Sequence, residues 1–270
     1  MQSILFWSAV TLYALATIAW FAWAATGKQW GATGGRALLA LGLLPHAGSL
    51  ALRWIEVGHG PYNTRYEVIS ADTFIVVAVW LVATLVAPGL RGLGVFVAPA
   101  AFLLMGWSVS TFELKREVPI IFKSWWLFLH IGFAKLFFAA ILLATACAAA
   151  WLVKRHNPAA LKSLPSPEKL DLYAHQFMIL SFLFLGVMIA AGALWAQQSW
   201  GRYWGWDPIE TSALVTWIVF GIVLHFRVLH RWSGQRMAWL TFVAFGFAVM
   251  TLFVVAILVP TIHNSYMVGG

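Results

Sequence analysis

Long apolar runs separated by short polar breaks dominate the chain almost from end to end. Eight stand out, over residues 3–25, 37–56, 69–88, 92–111, 125–152, 172–196, 210–230 and 236–259. Each is near the ~20 apolar residues that a helix needs to cross the hydrocarbon core of a bilayer. In lipid a helix satisfies its backbone donors and acceptors within one segment, so the pattern predicts helices. The expected fold is an all-α, polytopic bundle of about eight transmembrane helices. The one long polar linker, K-R-H-N-P-A-A-L-K-S-L-P-S-P-E-K-L over 154–170, separates five runs from three. No internal repeat or low-complexity tract appears, so residues 1–270 are expected to form a single domain.

Composition strengthens the membrane assignment. The chain is 62% hydrophobic and 10% charged, against about 45–50% and about 25% in soluble domains. The net charge of +8 raises the question of nucleic acid, yet no basic patch with interleaved aromatics stands on a polar face, which excludes it. The basic residues lie instead between the apolar runs. One set of loops holds Lys28, Arg36, Arg91, Lys154, Arg155, Lys162, Lys169, Arg227, Arg231 and Arg236; the other holds Arg53, Arg65, Lys115, Arg116, Lys123 and Arg202. Ten against six places the first set in the cytoplasm, with both termini outside. The run from Ile4 to Ala24 is too long for a signal-peptide core and lacks a basic flank, so it is read as a retained span. The single cysteine, Cys147, lies in an apolar run and reads as a small packing residue; with no C-x-x-C or C-x-x-C-H, the chain is neither a thioredoxin-like reductant nor a c-type cytochrome.

Eight histidines bring in candidate chemistry, because imidazole is a common ligand for haem iron. His46 falls mid-span and His225 in the inner half of the seventh run. An ionisable side chain at such depth is a functional candidate by default, against the alternative of a satisfied packing histidine. His130, early in the fifth run, and His263, just past the eighth, fall near the outer face. Two bis-imidazole sites at two depths would suit a large planar cofactor crossing a bilayer. His59, His156 and His230 are expected to be solvated, and His175 begins the sixth run. Arg53 follows His46 by two helical turns, near the same face. It either neutralises a haem propionate or snorkels to the outer interface, and Lys135 carries a similar ambiguity.

The densest feature is W-A-Q-Q-S-W-G-R-Y-W-G-W-D-P-I-E over 195–210. Trp195, Trp200, Tyr203, Trp204 and Trp206 crowd together, where an interfacial aromatic belt would place one or two tryptophans at a helix end. Wide flat indoles suit a porphyrin lying at the membrane surface. Asp207 before Pro208, with Glu210 in the first turn, reads as a cap for the next helix.

W-G-R-Y-W-G-W-D-P-I-E-T resembles the tryptophan-rich WWD signature of the haem-handling proteins of cytochrome c biogenesis, in its CcsA/ResC branch. Four further stretches agree in order. These are R-W-I-E-V-G-H-G-P-Y-N-T-R-Y-E (53–67), S-W-W-L-F-L-H (124–130), V-L-H-F-R (223–227) and I-H-N-S-Y (262–266). The resemblance covers about residue 40 to the end. It implies that His46 and His225 ligate haem within the membrane, and that His130 and His263 ligate it externally. Trp200, Trp204, Trp206 and Asp207 would form the haem platform. It also implies haem b, carried as ferrous haem, as the exported substrate. A CcsB/ResB-like membrane protein would be the partner, and an apocytochrome c bearing C-x-x-C-H the acceptor. The chain would thus be the haem-presenting half of a holocytochrome c synthase, or haem lyase. The H-N-S-Y tail and His175 depart from the family pattern, and no CcsB-like extramembrane domain is present. The alternatives are a haem-binding subunit or HemX-like protein without transfer activity, and a haem-free secondary transporter, for which inverted repeats would be expected.

Overall fold

A computed structural model describes residues 1–111, 118, 122–158 and 164–262, and among them only helices and their connections occur. The helices are α1 (Gln2–Thr26), α2 (Gln29–Val57), α3 (Arg65–Val86), α4 (Gly94–Ser108), α5 (Trp125–His156), α6 (Pro167–Trp200), α7 (Pro208–Val228) and α8 (Gln235–Val249). A 3₁₀ stretch, Pro88–Leu93, leads into α4, and α8 continues through a π-helical stretch, Met250–Val255, into a last turn, Ala256–Leu258. Eight helical segments are long and apolar enough to cross a membrane. The protein is an all-α, multi-pass membrane protein, as the apolar pattern requires.

The chain divides into two compact units, one of Met1–Arg116 with Ala149–Leu170 and the other of Glu117–Ala148 with Asp171–Gly270. In the first, α1 and α2 form a tight antiparallel hairpin, with α3 and α4 packed beside it. Here α2 starts eight residues before the apolar run that foretold it. The extra turns, Q-W-G-A-T-G-G-R, are too polar and glycine-rich to read as a span. They fold because missing side chains let α1 come close: a Cβ on Gly31 would lie 2.6 Å from the Ala19 carbonyl, and one on Gly35 2.7 Å from the Trp20 ring. Trp20 and Trp80 meet edge to face at 6.4 Å in the core, and Trp80 Nε1 donates to the Leu90 carbonyl at 3.1 Å. Lys154 Nζ ties the end of α5 to the carbonyls of Leu164 and Pro165 at 2.7 and 2.9 Å.

In the second unit, aromatic contacts join the helices. Phe133 meets Phe184, Phe137 meets Phe220, and Phe182 stacks on Trp217 at 4.8 Å and 13°. Phe138 packs on Phe253 of the π-helical stretch. Hydroxyls link this helix to α7: Thr216 and Thr251 lie 2.7 Å apart, Thr216 also donates to the Phe247 carbonyl, and Thr251 donates to the Ser212 carbonyl. At the end of this unit formed by the α7–α8 turn, Asp171 pairs with Arg227 at 2.6 Å and accepts the Gly234 N–H. Cys147 is free and buried.

Candidate functional site

In the first unit a polar seam runs along α2, where His46, Ser49 and Arg53 share one buried face. His46 is fully buried, its Nδ1 3.1 Å from the Tyr13 hydroxyl and its Nε2 3.0 Å from Ser70 Oγ. Ser49 shares a hydrogen bond with the Tyr66 hydroxyl, which also accepts from Gln2. Arg53, 1% exposed, donates through Nε to Glu67 Oε1 at 2.9 Å and lies over the Tyr66 ring. Its charge is therefore balanced inside the protein, so it is not an interfacial snorkelling side chain.

Glu67 organises the loop before α3. Its Oε2 accepts the backbone N–H groups of Asn63 and Thr64, and its own N–H donates to Thr64 Oγ1, closing a capping box. His59, expected to be solvated, is buried instead: its Nδ1–H donates to the Gly60 carbonyl at 2.7 Å and lies 3.9 Å from Glu67 Oε2. The loop folds inward on that carboxylate. Burial, followed by the charge of Glu67, raises the pKa of the neighbouring Tyr62 phenol.

In the second unit, His130 lies in the first turns of α5 and its Nδ1–H donates to the Met188 carbonyl of α6 at 2.8 Å. That bond places the ring proton on Nδ1 and leaves the Nε2 lone pair for another partner. Gly192 makes room for the ring, because a Cβ there would lie 2.7 Å from His130 Nδ1.

The tryptophan loop is held by two acids. Asp207 caps α7 through the Ile209 N–H, and Glu210 Oε2 accepts the N–H groups of Gly205 and Asp207 at 2.8 and 3.2 Å. These two bonds grip the backbone on either side of Trp206, which adopts φ +57°, a left-handed conformation costly for a bulky residue. The clamp turns its indole outward to 71% exposure. Trp204 meets Trp206 edge to face at 5.9 Å, and its own buried Nε1–H has no hydrogen-bond partner among the described residues. Trp200 packs on Trp195, which contacts Phe122. Asp207 Oδ2 also accepts the Ile262 N–H at 2.8 Å. His263 lies outside the described residues, but its immediate predecessor is thus fastened to the loop.

His225 is exposed, three residues before the end of α7, with its ring 6.1 Å from that of His230. It sits seventeen residues from Pro208, about 26 Å of helix rise from the tryptophan loop. His156 and His230 are exposed, as expected of them. Lys135 is buried on α5, and His175 Nδ1 is buried with no partner among the described residues.

The family model described as cytochrome C assembly protein matches residues 2–263. The chain belongs to that family. A cytochrome c biogenesis protein CcsA of Synechococcus elongatus is 28% identical over 263 residues, covering 78% of this chain and 81% of its own length. The CcsA of Guillardia theta is 30% identical over 228 residues, covering 74% of each. Among solved structures, a cytochrome c haem lyase, CcmF, shares the fold with a TM-score of 0.72 at 16% identity, over 94% of this chain. This chain spans 46% of that larger protein. A role in cytochrome c biogenesis, and the haem handling that the cytochrome c assembly family implies, follow from this membership.

Sequence reasoning assigned Asp207 and Glu210 as caps, and both close a capping box. It missed the role of Glu67, although T-R-Y-E over 64–67 is the same S/T-x-x-E signature. Tyr13 and Ser70 left no such signal. They lie 33 and 24 residues from His46 in the chain, and only helix packing brings them to its ring.

Proposed function

We propose that this chain carries haem b across the cytoplasmic membrane and presents it outside for thioether attachment to apocytochrome c. Ferrous haem is received by His46 and His225 within the bilayer, with Arg53 and its partner Glu67 setting the charge beside the inner site. It is then held by His130 and His263 against the platform of Trp200, Trp204, Trp206 and Asp207. Both termini and the tryptophan loop face outward, and the two units act as one haem-handling domain. A CcsB/ResB-like membrane protein completes the synthase, and a C-x-x-C-H segment is the acceptor. Each cysteine S–H adds across a haem vinyl group, forming a C–S bond and placing the proton on the other vinyl carbon. The addition needs no net oxidant, and the protein contributes positioning.

The observation that carries this reading is the outer end of the second unit. His130 has its Nδ1 anchored to a carbonyl, the arrangement that orients a ligating imidazole through its other nitrogen. Beside the chain segment leading to His263, fastened through Asp207, the clamp holds an exposed indole outward. Flat apolar surface, the Trp204 indole N–H that has no partner among the described residues, and an oriented imidazole together fit an iron porphyrin.

The test is to purify the full chain alone and with a CcsB/ResB-type partner, record absorption spectra, and assay haem attachment to a C-x-x-C-H substrate. Bis-imidazole haem bands, with attachment only in the partner's presence, are expected. Absence of those bands overturns the reading. Haem bands without attachment, even with the partner, assign the chain instead as a haem-binding subunit without transfer activity.

A further inference from the structure

We propose that Arg202 grips a haem propionate at the tryptophan loop and thereby fixes which edge of the haem the protein presents. The proposal rests on the reading of that loop as a haem platform and deepens it.

Arg202 follows Gly201, whose φ of +72° turns the chain sharply off the end of α6. Its guanidinium then folds back over Gly205. A Cβ at that position would lie 2.7 Å from Arg202 Cζ and 2.8 Å from both Nε and Nη2, so only a glycine leaves room for the group. The cation is therefore seated on bare backbone between Trp204 and Trp206, whose indoles meet edge to face at 5.9 Å.

The fold makes no use of this charge. Among the described residues no hydrogen bond or ion pair engages Arg202. The two acids of the loop are committed to backbone: Glu210 Oε2 accepts from Gly205 and Asp207, and Asp207 accepts from Ile209 and Ile262. A long side chain ordinarily loses rotamer freedom when it takes a ligand. Packing over Gly205 orders the guanidinium beforehand, so less freedom is lost on binding.

The chemistry of the haem matches such a cation. A guanidinium is a planar fork of N–H donors shaped for a carboxylate. Haem is an apolar plate with two carboxylates on one edge and its two vinyl groups toward the opposite half. Its faces suit indoles, while its carboxylates need charge or water beside them. This end of the second unit has room for the plate: Trp206 is 71% and Tyr203 57% exposed, Arg202 is exposed, and His130 keeps partial exposure. A propionate held at Arg202 turns the vinyl edge away from the loop, toward the thiols that must reach it.

The experiment titrates the haem-depleted full chain in detergent with ferric haem and with its dimethyl ester, whose esterified propionates carry no charge. The Soret band and the quenching of tryptophan fluorescence are read. The unaltered chain is expected to bind haem about fivefold more tightly than the ester, the scale of a solvent-exposed ion pair. Arg202→Gln is expected to erase that preference by weakening haem while leaving the ester unchanged. Arg202→Lys, which keeps the charge without the fork, should restore part of it. Equal affinity for the two ligands in the unaltered chain overturns the proposal, and that comparison needs no variant to fold. An Arg202→Gln chain that retains the preference, or that binds both ligands more weakly to the same degree, overturns it too. His130→Ala separates the two levels of inference. Haem binding as tight in that variant as in the unaltered chain removes the platform reading and this proposal together. Binding that depends on His130 but does not respond to Arg202→Gln removes only the role given to Arg202.

Discussion

Glu67 uses its two oxygens for different purposes. Oε1 neutralises Arg53, while Oε2 holds the backbone of Asn63 and Thr64 at the start of α3. Both members of the ion pair are buried, so removing one strands the other's charge in a poorly solvated interior. Such a loss costs about 3–5 kcal/mol, whereas replacing a buried pair with apolar groups is often neutral. Glu67→Ala is therefore expected to lower the thermal stability of the detergent-solubilised protein by roughly that amount. Arg53→Met combined with Glu67→Leu should recover most of the ion-pair share of the loss, leaving the capping deficit. A double variant as unstable as Glu67→Ala would contradict the charge argument. At this scale the sequence was partly legible. The T-x-x-E cap can be read directly, but the Arg53 partnership cannot, because Arg53 lies 14 residues earlier on another helix, across the loop before α3.

At the scale of elements, the connection from α6 to α7 shows how a loop gains a defined shape without regular hydrogen bonding. Glu210, one turn into α7, reaches back over Trp206 and fixes it in the left-handed region. Glu210→Ala removes that grip and half of a capping box, a loss of about 1 kcal/mol in helix stability. The larger expected effect is local: Trp206 relaxes to an ordinary φ, and outer haem content falls while inner haem is retained. Spectral quantitation of haem against protein measures this, and an unchanged outer haem would detach the clamp from function. The α5–α6 contact offers a second test. Gly192→Ala places a methyl where His130 Nδ1 now bonds the Met188 carbonyl, so the imidazole must turn. Outer haem should be depleted with the helical content intact by circular dichroism. A Gly192→Ala protein with native outer haem would show that the ring's placement is immaterial.

For the whole molecule, the proposed function requires two sites that respond separately. His130→Ala or His263→Ala is expected to deplete the outer haem and leave the inner site partly filled, as read by the bands remaining after purification. Equal loss from both sites in either variant would reject a two-site pathway. Sidedness is a second global property: the proposed function puts both termini outside, as the positive-inside rule predicts from the loop charges. A reporter active only outside the cytoplasmic membrane should therefore work when fused at the C-terminus and fail within the 154–170 linker. The opposite pattern would invert the proposed direction of transport.

Apolar runs of spanning length, too few charges for a soluble surface and the need of lipid-buried backbone for internal hydrogen bonds were enough to determine an all-α membrane bundle from the sequence alone. The tryptophan motif and the ordered histidines also indicated the family, because motifs are local in the chain. The tertiary structure alone decided the partners. It brought Tyr13 and Ser70 to the two nitrogens of His46, matched Arg53 with Glu67, folded His59 inward and seated His130 against Gly192. Those choices depend on which helix faces meet, and in a chain apolar on nearly every face, periodicity leaves the facing sides unmarked.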